Sequence, residues 1–258
     1  MPTKTSLSVA IITLNEESNL ERCLQSVKGI ADEILVIDSG STDATQEIAA
    51  RYGARFEFNA WPGHVAQKNL ALERATHEWV LSLDADECLT PELAQEIQAL
   101  LHSKEIESAS GYQLNRRTFY LGDWVRHAWY PEWRLRLVKK QLARWEGTDP
   151  HDKLVVNGSE KKLKSGDFLH YSYRDLQHHF EVSLKYARIG AEAAYKKGKR
   201  FKAHKLFTSP LGRLFKFLFI KMAWRDGWRG WIILGSSMMT AFMKQAYLLE
   251  RELNKKES

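Results

Sequence analysis

Asp84-Ala85-Asp86-Glu87 packs three carboxylates into four consecutive positions. Like charges this close repel, and the arrangement costs stability unless a cation or hydrogen-bond donors compensate. A hard divalent ion with oxygen ligands and bound phosphates is one such compensation. Two more polar groups each follow an apolar run: Asn15-Glu16-Glu17 after LSVAIITL, and Asp38 after Glu33–Ile37. A lone Asp in such a place is ordinarily a turn former or a cap, and capping of Ser39-Gly40-Ser41-Thr42 by Asp38 stands beside any functional reading. The convergence of all three groups is the signal.

The elements that must position them are legible. Residues 7–14 are nearly all apolar and rich in β-branched side chains, the pattern of a strand buried on both faces. Ser18 and Glu21 form an S-x-x-E capping box before a helix with Leu20, Leu24 and Val27 on one face. Further strands are expected at Glu33–Ile37, Ala54–Phe58 and Trp79–Leu83. Helices are expected at Asp43–Tyr52 and His64–Ala75, and after Thr90-Pro91, an N-cap followed by a first-turn proline. This βα alternation predicts a doubly wound, mostly parallel α/β sheet. In such sheets ligands bind beyond the carboxyl ends of the strands, where Asn15, Asp38 and Asp84 fall. Residues 111–172 read as a smaller β-rich region, with strands at Gly111–Phe119, Trp133–Lys139, Lys153–Val156 and Lys162–Tyr171. Residues 173–258 read as a helical extension on the 1–172 catalytic domain, whose nucleotide half is 1–110. Its first helix, Asp175–Lys197, shows Leu176, Phe180, Leu184, Ala187, Ala191 and Ala194 on one face.

Composition narrows the class. The chain has 258 residues with nine Trp, nine Tyr and eleven Phe, enough for a sizeable core. Cys23 and Cys88 are too few for a disulfide framework or a four-thiolate zinc site. The N-terminus lacks the pattern of a secretory leader, and the Trp231–Met243 run is shorter than the roughly 20 residues of a membrane span. A reducing compartment and no spanning anchor are the expectation. The net charge of +6 hides a division: residues 1–110 carry 8 Lys and Arg against 18 Asp and Glu, residues 111–258 carry 30 against 14.

LSVAIITLNEESNLERCLQSV, DEILVIDSGSTDAT, GHVAQKNLALERA and WVLSLDADE together resemble glycosyltransferase family 2, the inverting GT-A nucleotide-sugar transferases. The resemblance implies roles by position. Thr13, Asn15 and Glu17 would meet the nucleoside, and Asp38 would accept from the uracil N3–H. Lys68 and Asn69 stand where the family often has an Arg-Asn pair near the nucleotide; for Asn69 a hydrogen bond to a neighbouring loop is the equal alternative. Asp84 and Asp86 match the family D-x-D. Asp86 is then the direct ligand of Mg²⁺ or Mn²⁺, with Asp84 beside it, and a metal there would stabilise leaving-group charge.

Inversion needs a carboxylate to take the acceptor proton. Asp152 is preferred, because related members carry a His-acid pair after a Trp-Gly segment similar to Trp145-Glu146-Gly147. Glu132 is the runner-up, Asp149 a further candidate, and His151 would help hold pyrophosphate or acceptor. The alternative is that His151 and Asp152 merely cap a strand. Arg134 and Arg136, on one strand face if Arg-Leu-Arg-Leu alternates, could bind acceptor phosphate or form a solvated face. The Q-x-x-R-W motif of processive synthases is absent, which points to transfer of a single sugar.

Residues 196–229 hold eleven Lys and Arg against one acid, Asp226, interleaved with Phe and Trp. Three readings compete: a buried helical extension, a nucleic-acid surface, and an interfacial segment on an anionic membrane. The last is favoured, with Lys216, Phe217, Trp224 and Trp228 as its contacts and no nucleic acid as partner. Motifs and tail together resemble the β-1,4-glucosyltransferase branch of the family that builds the lipopolysaccharide inner core, a likeness that includes Arg225-Asp226-Gly227-Trp228-x-Gly230. That resemblance implies transfer of glucose from UDP-glucose to a heptose of a lipid-linked acceptor, by a protein peripheral on the cytoplasmic face of the bacterial inner membrane. Another membrane-associated UDP-sugar transferase, such as a galactosyltransferase, is the alternative. Outside enzymes the rival is a non-catalytic basic membrane or nucleic-acid binder, which has no need of Asp84 and Asp86. A nucleotidyltransferase would want a glycine-rich basic loop where Asn15-Glu16-Glu17-Ser18 stands.

Overall fold

The computed structural model describes residues 4–148 and 151–254, without the side chains at 148 and 151. The chain forms two compact units. One comprises the residues up to Arg117 with Glu132–Tyr171, the other Thr118–Pro131 with the residues from Ser172 onward. Residues 118–131, grouped by the sequence reading with the acceptor region, thus fold with the C-terminal helices.

The first unit is a mixed α/β structure. Strands β1 (Leu7–Thr13), β2 (Glu33–Asp38), β3 (Arg55–Phe58) and β4 (Trp79–Asp84) lie parallel in the order β3-β2-β1-β4. Helices α1 (Leu20–Val27), α2 (Thr45–Arg51) and α3 (His64–Arg74) connect them. Then follow β5 (Glu87–Leu89), α4 (Pro91–Leu101) and β6 (Gly111–Tyr120); β7 (Asp123–Trp124) lies in the second unit. β8 (Trp133–Lys139), the β9–β10 hairpin (Ala143–Thr148 and His151–Val156) and β11 (Glu160–His170) complete the strands. The sheet continues from β4 through β8, β6 and β11 to β5, with β8 antiparallel to both β4 and β6.

Every residue of β1 is buried because the strand feeds two cores. Leu7, Val9 and Ile11 face α1, α2 and α4; Ala10 and Ile12 face α3 and the hairpin, through Leu72, Trp145 and Leu154. Thr90 caps α4 by accepting the Leu93 N–H at 3.4 Å. The expected Ser18–Glu21 box does not form. The helix starts one residue later, with Asn19 as N-cap, and the Asn19 amide instead donates to Glu16 Oε2 at 2.8 Å.

The second unit is helical: α5 (Leu176–Lys196), α6 (Lys205–Phe215), a π-turn at Lys216–Ile220, a short turn at Ala223–Asp226, and α7 (Gly227–Asn254). Asp175 caps α5 by accepting the His178 N–H at 2.7 Å. α5 buries the C-terminal half of the expected face, Ala187, Ala191 and Ala194. In its N-terminal half His179 and Ser183 are inside instead, with Phe180 and Leu184 half-buried and Leu176 exposed. The reason is a hydrogen bond of 2.5 Å between Tyr120 Oη and His179 Nδ1, set among Trp129 and Tyr173. Among the described residues no helix is long and apolar enough to cross a membrane.

Candidate functional site

The strand register lines up the three polar ends. Thr13 pairs with Asp38, and Ile12 pairs with Asp84. Beyond β1 the chain turns at Asn15, whose φ of 54° is left-handed, a conformation Asn tolerates. Asn15 Oδ1 accepts the Thr42 N–H at 2.9 Å, and Glu17 Oε2 accepts the Ala44 N–H at 3.0 Å. These side chains therefore knit the first strand-end loop to the second. Asp38 is buried, and its Oδ2 accepts the Gly40 and Ser41 N–H groups at 2.8 Å each. That is the turn-capping arrangement. Thr13 Oγ1 is buried with no hydrogen-bond partner, an open polar atom at the end of β1.

Lys68 is the centre of the site. It projects from α3, is 5% exposed, and its Nζ hydrogen-bonds Asp84 Oδ2 at 3.0 Å and Asp152 Oδ2 at 2.8 Å. It also lies 2.9 Å from Asp84 Oδ1 and over the Trp145 ring at 4.4 Å. Burial works to discharge this ammonium, but Asp84 and Asp152 outweigh burial and the repulsion from Arg136, and its pKa is raised. Burial opposes the Asp84 anion too, and Lys68 and Arg136 overcome that to hold its carboxyl well below the usual range. Asn69 spends both ends of its amide on the Trp145 backbone, at 2.9 and 2.8 Å, fastening β9 to α3. Of its two readings, this is the loop contact.

Arg136 is not on a shared phosphate-binding face with Arg134. Tyr112 pairs with Leu137 but Gln113 pairs with Leu135, so Arg136 is the extra residue of a β-bulge. A bulge re-aims a side chain and breaks alternation; Leu135 and Leu137 accordingly enter opposite cores. Arg136 is turned inward. Its Nη2 donates to Glu87 Oε1 at 2.6 Å and stands 3.8 Å from Asp84 Oδ2, while Glu87 Oε2 accepts the Asp84 N–H at 3.1 Å. The buried Glu87–Arg136 pair thus holds Asp84 by its backbone and its charge. Neither the pairing of Glu87 with Arg136 nor its hold on the Asp84 N–H is evident from the sequence.

Asp86 takes a different partner. Its Oδ2 lies 3.2 Å from His170 Nε2 at the end of β11. The sequence reading missed His170, since a lone His near a strand end carries no local signal. Among the described residues no group of three or more His, Cys, Asp and Glu side chains is placed to hold a metal. A divalent ion bound with a diphosphate needs only one or two protein carboxylates, substrate oxygens and water making up the rest. Asp86 with His170 fits that requirement.

The base candidates differ in how fully they are engaged. Glu132 accepts Arg116 Nε and Nη2 at 2.9 Å each and Arg134 Nε at 3.1 Å. Burial raises its pKa, but the two guanidinium groups prevail and lower it. Lys68 engages Asp152 through Oδ2, leaving Oδ1 for another donor. Asp149 and the His151 side chain lie outside the described residues. In the second unit, Lys216, Trp224 and Trp228 are exposed, but Phe217 is 7% exposed and belongs to the core with Ile233 and Leu234. Phe217 is therefore corrected from a surface contact to a packing residue.

The family model for glycosyl transferase family 2 matches residues 8–154. An uncharacterised glycosyltransferase of Rickettsia typhi is 32% identical over 96% of this chain and 88% of its own. The Rhizobium meliloti lipopolysaccharide core biosynthesis glycosyltransferase LpsC is 29% identical over 96% of this chain and 93% of its own. Among solved structures, residues 1–349 of Staphylococcus aureus TarS align with a TM-score of 0.49 at 15% identity, over 96% of this chain and 92% of that one. The family model over residues 8–154 and the Rickettsia typhi relative matched along nearly all of this chain agree: the chain is a glycosyltransferase and belongs to glycosyl transferase family 2.

Proposed function

We propose that the protein is an inverting transferase that moves one hexose, glucose, from UDP-glucose to a heptose of the lipopolysaccharide inner core, at the cytoplasmic face of the inner membrane. The observation that carries this reading is the Lys68 bridge. One buried ammonium joins Asp84 of the D-x-D to Asp152, a residue 84 positions from Lys68 in the chain. It supports a reading in which Asp152 is the proton acceptor beside the strand end that carries Asp84.

In this reading Thr13 offers a free polar atom to the nucleoside, and Asn15, Glu17 and Asp38 hold the two loops that would frame it. Asp86 and His170 would hold Mg²⁺ or Mn²⁺, which when bound supplies positive charge for the diphosphate leaving group. Lys68 and Arg136 balance the carboxylates of Asp84, Asp152 and Glu87 there. Asp152 accepts the proton of the acceptor hydroxyl through Oδ1. The acceptor hydroxyl's own oxygen uses a lone pair to form the new bond to the anomeric carbon as the bond to the diphosphate breaks, so UDP departs with the electron pair of that bond and the configuration inverts. The exposed cations of the second unit suit an anionic membrane, and LpsC, by its name, supports a lipopolysaccharide core acceptor.

The test uses calorimetry and a transfer assay in parallel. Asp152→Asn is expected to bind UDP-glucose with Mn²⁺ as the unaltered protein does and to lose about 10²-fold or more in transfer. An active Asp152→Asn protein would end the base assignment. Equal or better use of UDP-galactose would replace the donor.

A further inference from the structure

The second unit carries an apolar stripe on its surface. Phe207, Leu211, Phe215 and Phe219 recur every fourth residue along α6 and the π-turn, and they are 70%, 57%, 59% and 67% exposed. A spacing of four keeps side chains on one helix face, and the Phe215 and Phe219 rings touch at 4.9 Å between centroids. The π-turn sends Phe217 into the core while Phe219 stays outside beside Phe215. Such turns often sit at functional positions. Ile220, Trp224, Trp228 and Trp231 extend the exposed apolar surface, each more than half exposed. Soluble surfaces rarely leave so many large apolar groups together without a use.

Charge identifies the occupant. Lys202, Lys205, Arg213, Lys216 and Arg225 are exposed within the same segment. Asp226, the one acid of residues 196–229, is withdrawn: its side chain is 4% exposed and accepts the N–H groups of Arg126, His127 and Ala128 at 2.8–3.0 Å. The charges that this segment itself presents beside the apolar stripe are therefore cationic. A second copy of the same surface would meet it with like charge. Nucleic acid would satisfy the cations but not the aliphatic Leu211 and Ile220. An anionic lipid surface satisfies both, through acyl chains and phosphate headgroups.

We propose that α6, the π-turn and the first turns of α7 are an in-plane membrane anchor, with the Phe207–Phe219 stripe inserted among acyl chains and the surrounding Lys and Arg on anionic headgroups. This deepens, and rests on, the reading of a transferase acting on a lipid-linked acceptor.

The full chain should sediment with vesicles containing about one third phosphatidylglycerol and release in high salt, and it should bind pure phosphatidylcholine weakly. Phe215→Ser with Phe219→Ser should lower partitioning about tenfold or more. Both rings are exposed, so the thermal midpoint should be unchanged. Arg213→Glu with Lys216→Glu should do the same and flatten the salt dependence. Vesicle binding unaffected by either pair, or no binding to anionic vesicles, would overturn the anchor. So would a shift from dimer to monomer in the Phe variants with lipid binding intact, which would make a second copy the occupant. Transfer to a delipidated core oligosaccharide separates the two readings. It should survive in the Phe variants, and its presence without vesicle binding would sink the anchor alone. Vesicle binding without transfer to any sugar would leave the anchor standing and count against the transferase reading.

Discussion

At the scale of single residues, the site depends on how buried charges are paired. Glu87 and Arg136 form an ion pair behind Asp84, with side chains 0% and 6% exposed. Breaking one partner of such a pair leaves an uncompensated charge and costs about 3–5 kcal/mol. Glu87→Ala should therefore lower stability by about that much in urea unfolding. Adding Arg136→Met should restore most of it, since a buried pair replaced by apolar groups is often neutral. Restored stability with donor binding still lost is the outcome that marks the pair as the positioning device for Asp84. Full donor affinity in the restored double variant would show it to be packing only. The same logic ranks the bases. Glu132, held by two guanidinium groups, is a weaker proton acceptor than its composition suggests, and Glu132→Gln should leave more activity than Asp152→Asn in the same assay.

At the scale of elements, two junctions decide whether the parts stay together. Asn69 is the clasp between α3 and β9. Asn69→Ala strands a backbone N–H and C=O of Trp145 and should cost about 1–3 kcal/mol, and the hairpin that carries Asp152 should lose amide-exchange protection before the sheet does. Unchanged protection at β9 would refute the clasp. Gly230 is the second junction. A Cβ there would meet the Ala223 carbonyl oxygen at 1.7 Å, so the 223–226 turn can lie on α7 only if residue 230 is glycine. Gly230→Ala must displace backbone and should cost about 3 kcal/mol, the upper end of the usual overpacking range, read as a lowered urea midpoint. The resemblance singled out the Arg225–Gly230 stretch. Asp226 tying down residues 126–128 and Gly230 admitting the turn are its physical content.

At the scale of the whole molecule, the two compact units should respond differently to acid. Burial, aided by the neighbouring His178 charge, lowers the His179 pKa from 6.5 to about 4. A histidine depressed in this way stabilises the fold fully above pH 6.5. That contribution is lost as pH falls, because the unfolded chain binds the proton first. The loss starts near pH 6.5, is complete near pH 4, and amounts to on the order of 3 kcal/mol for this group. The unfolding midpoint of the second unit, followed by Trp fluorescence, should drop across that window, and His179→Gln should flatten the drop. An equally steep drop in the variant would place the titration elsewhere. The charge division acts at this scale too: a net −10 over residues 1–110 against +16 over residues 111–258.

Local rules sufficed for the parallel strands, the helices between them and the three polar strand ends, because apolar runs, caps and breakers act over a few residues. The roles expected for Asp84, Asp86, Lys68 and Asp152 come from the resemblance to the family's motifs, not from those local rules. What local rules do not carry is which distant groups meet. His170 reaches Asp86 only because β11 runs beside β5. Arg136 leaves the strand face that alternation assigns it because β6 and β8 slip by one residue. Phe217 turns inward because one turn of helix is π-wound, and residues 118–131 join the C-terminal helices because Asp226 and the Tyr120–His179 pair draw them there. Composition and spacing thus determined the chemistry available. The tertiary structure decided which carboxylate stays open and which cations are already spent, because pairing in a low-dielectric interior depends on a few ångströms that no sequence interval records.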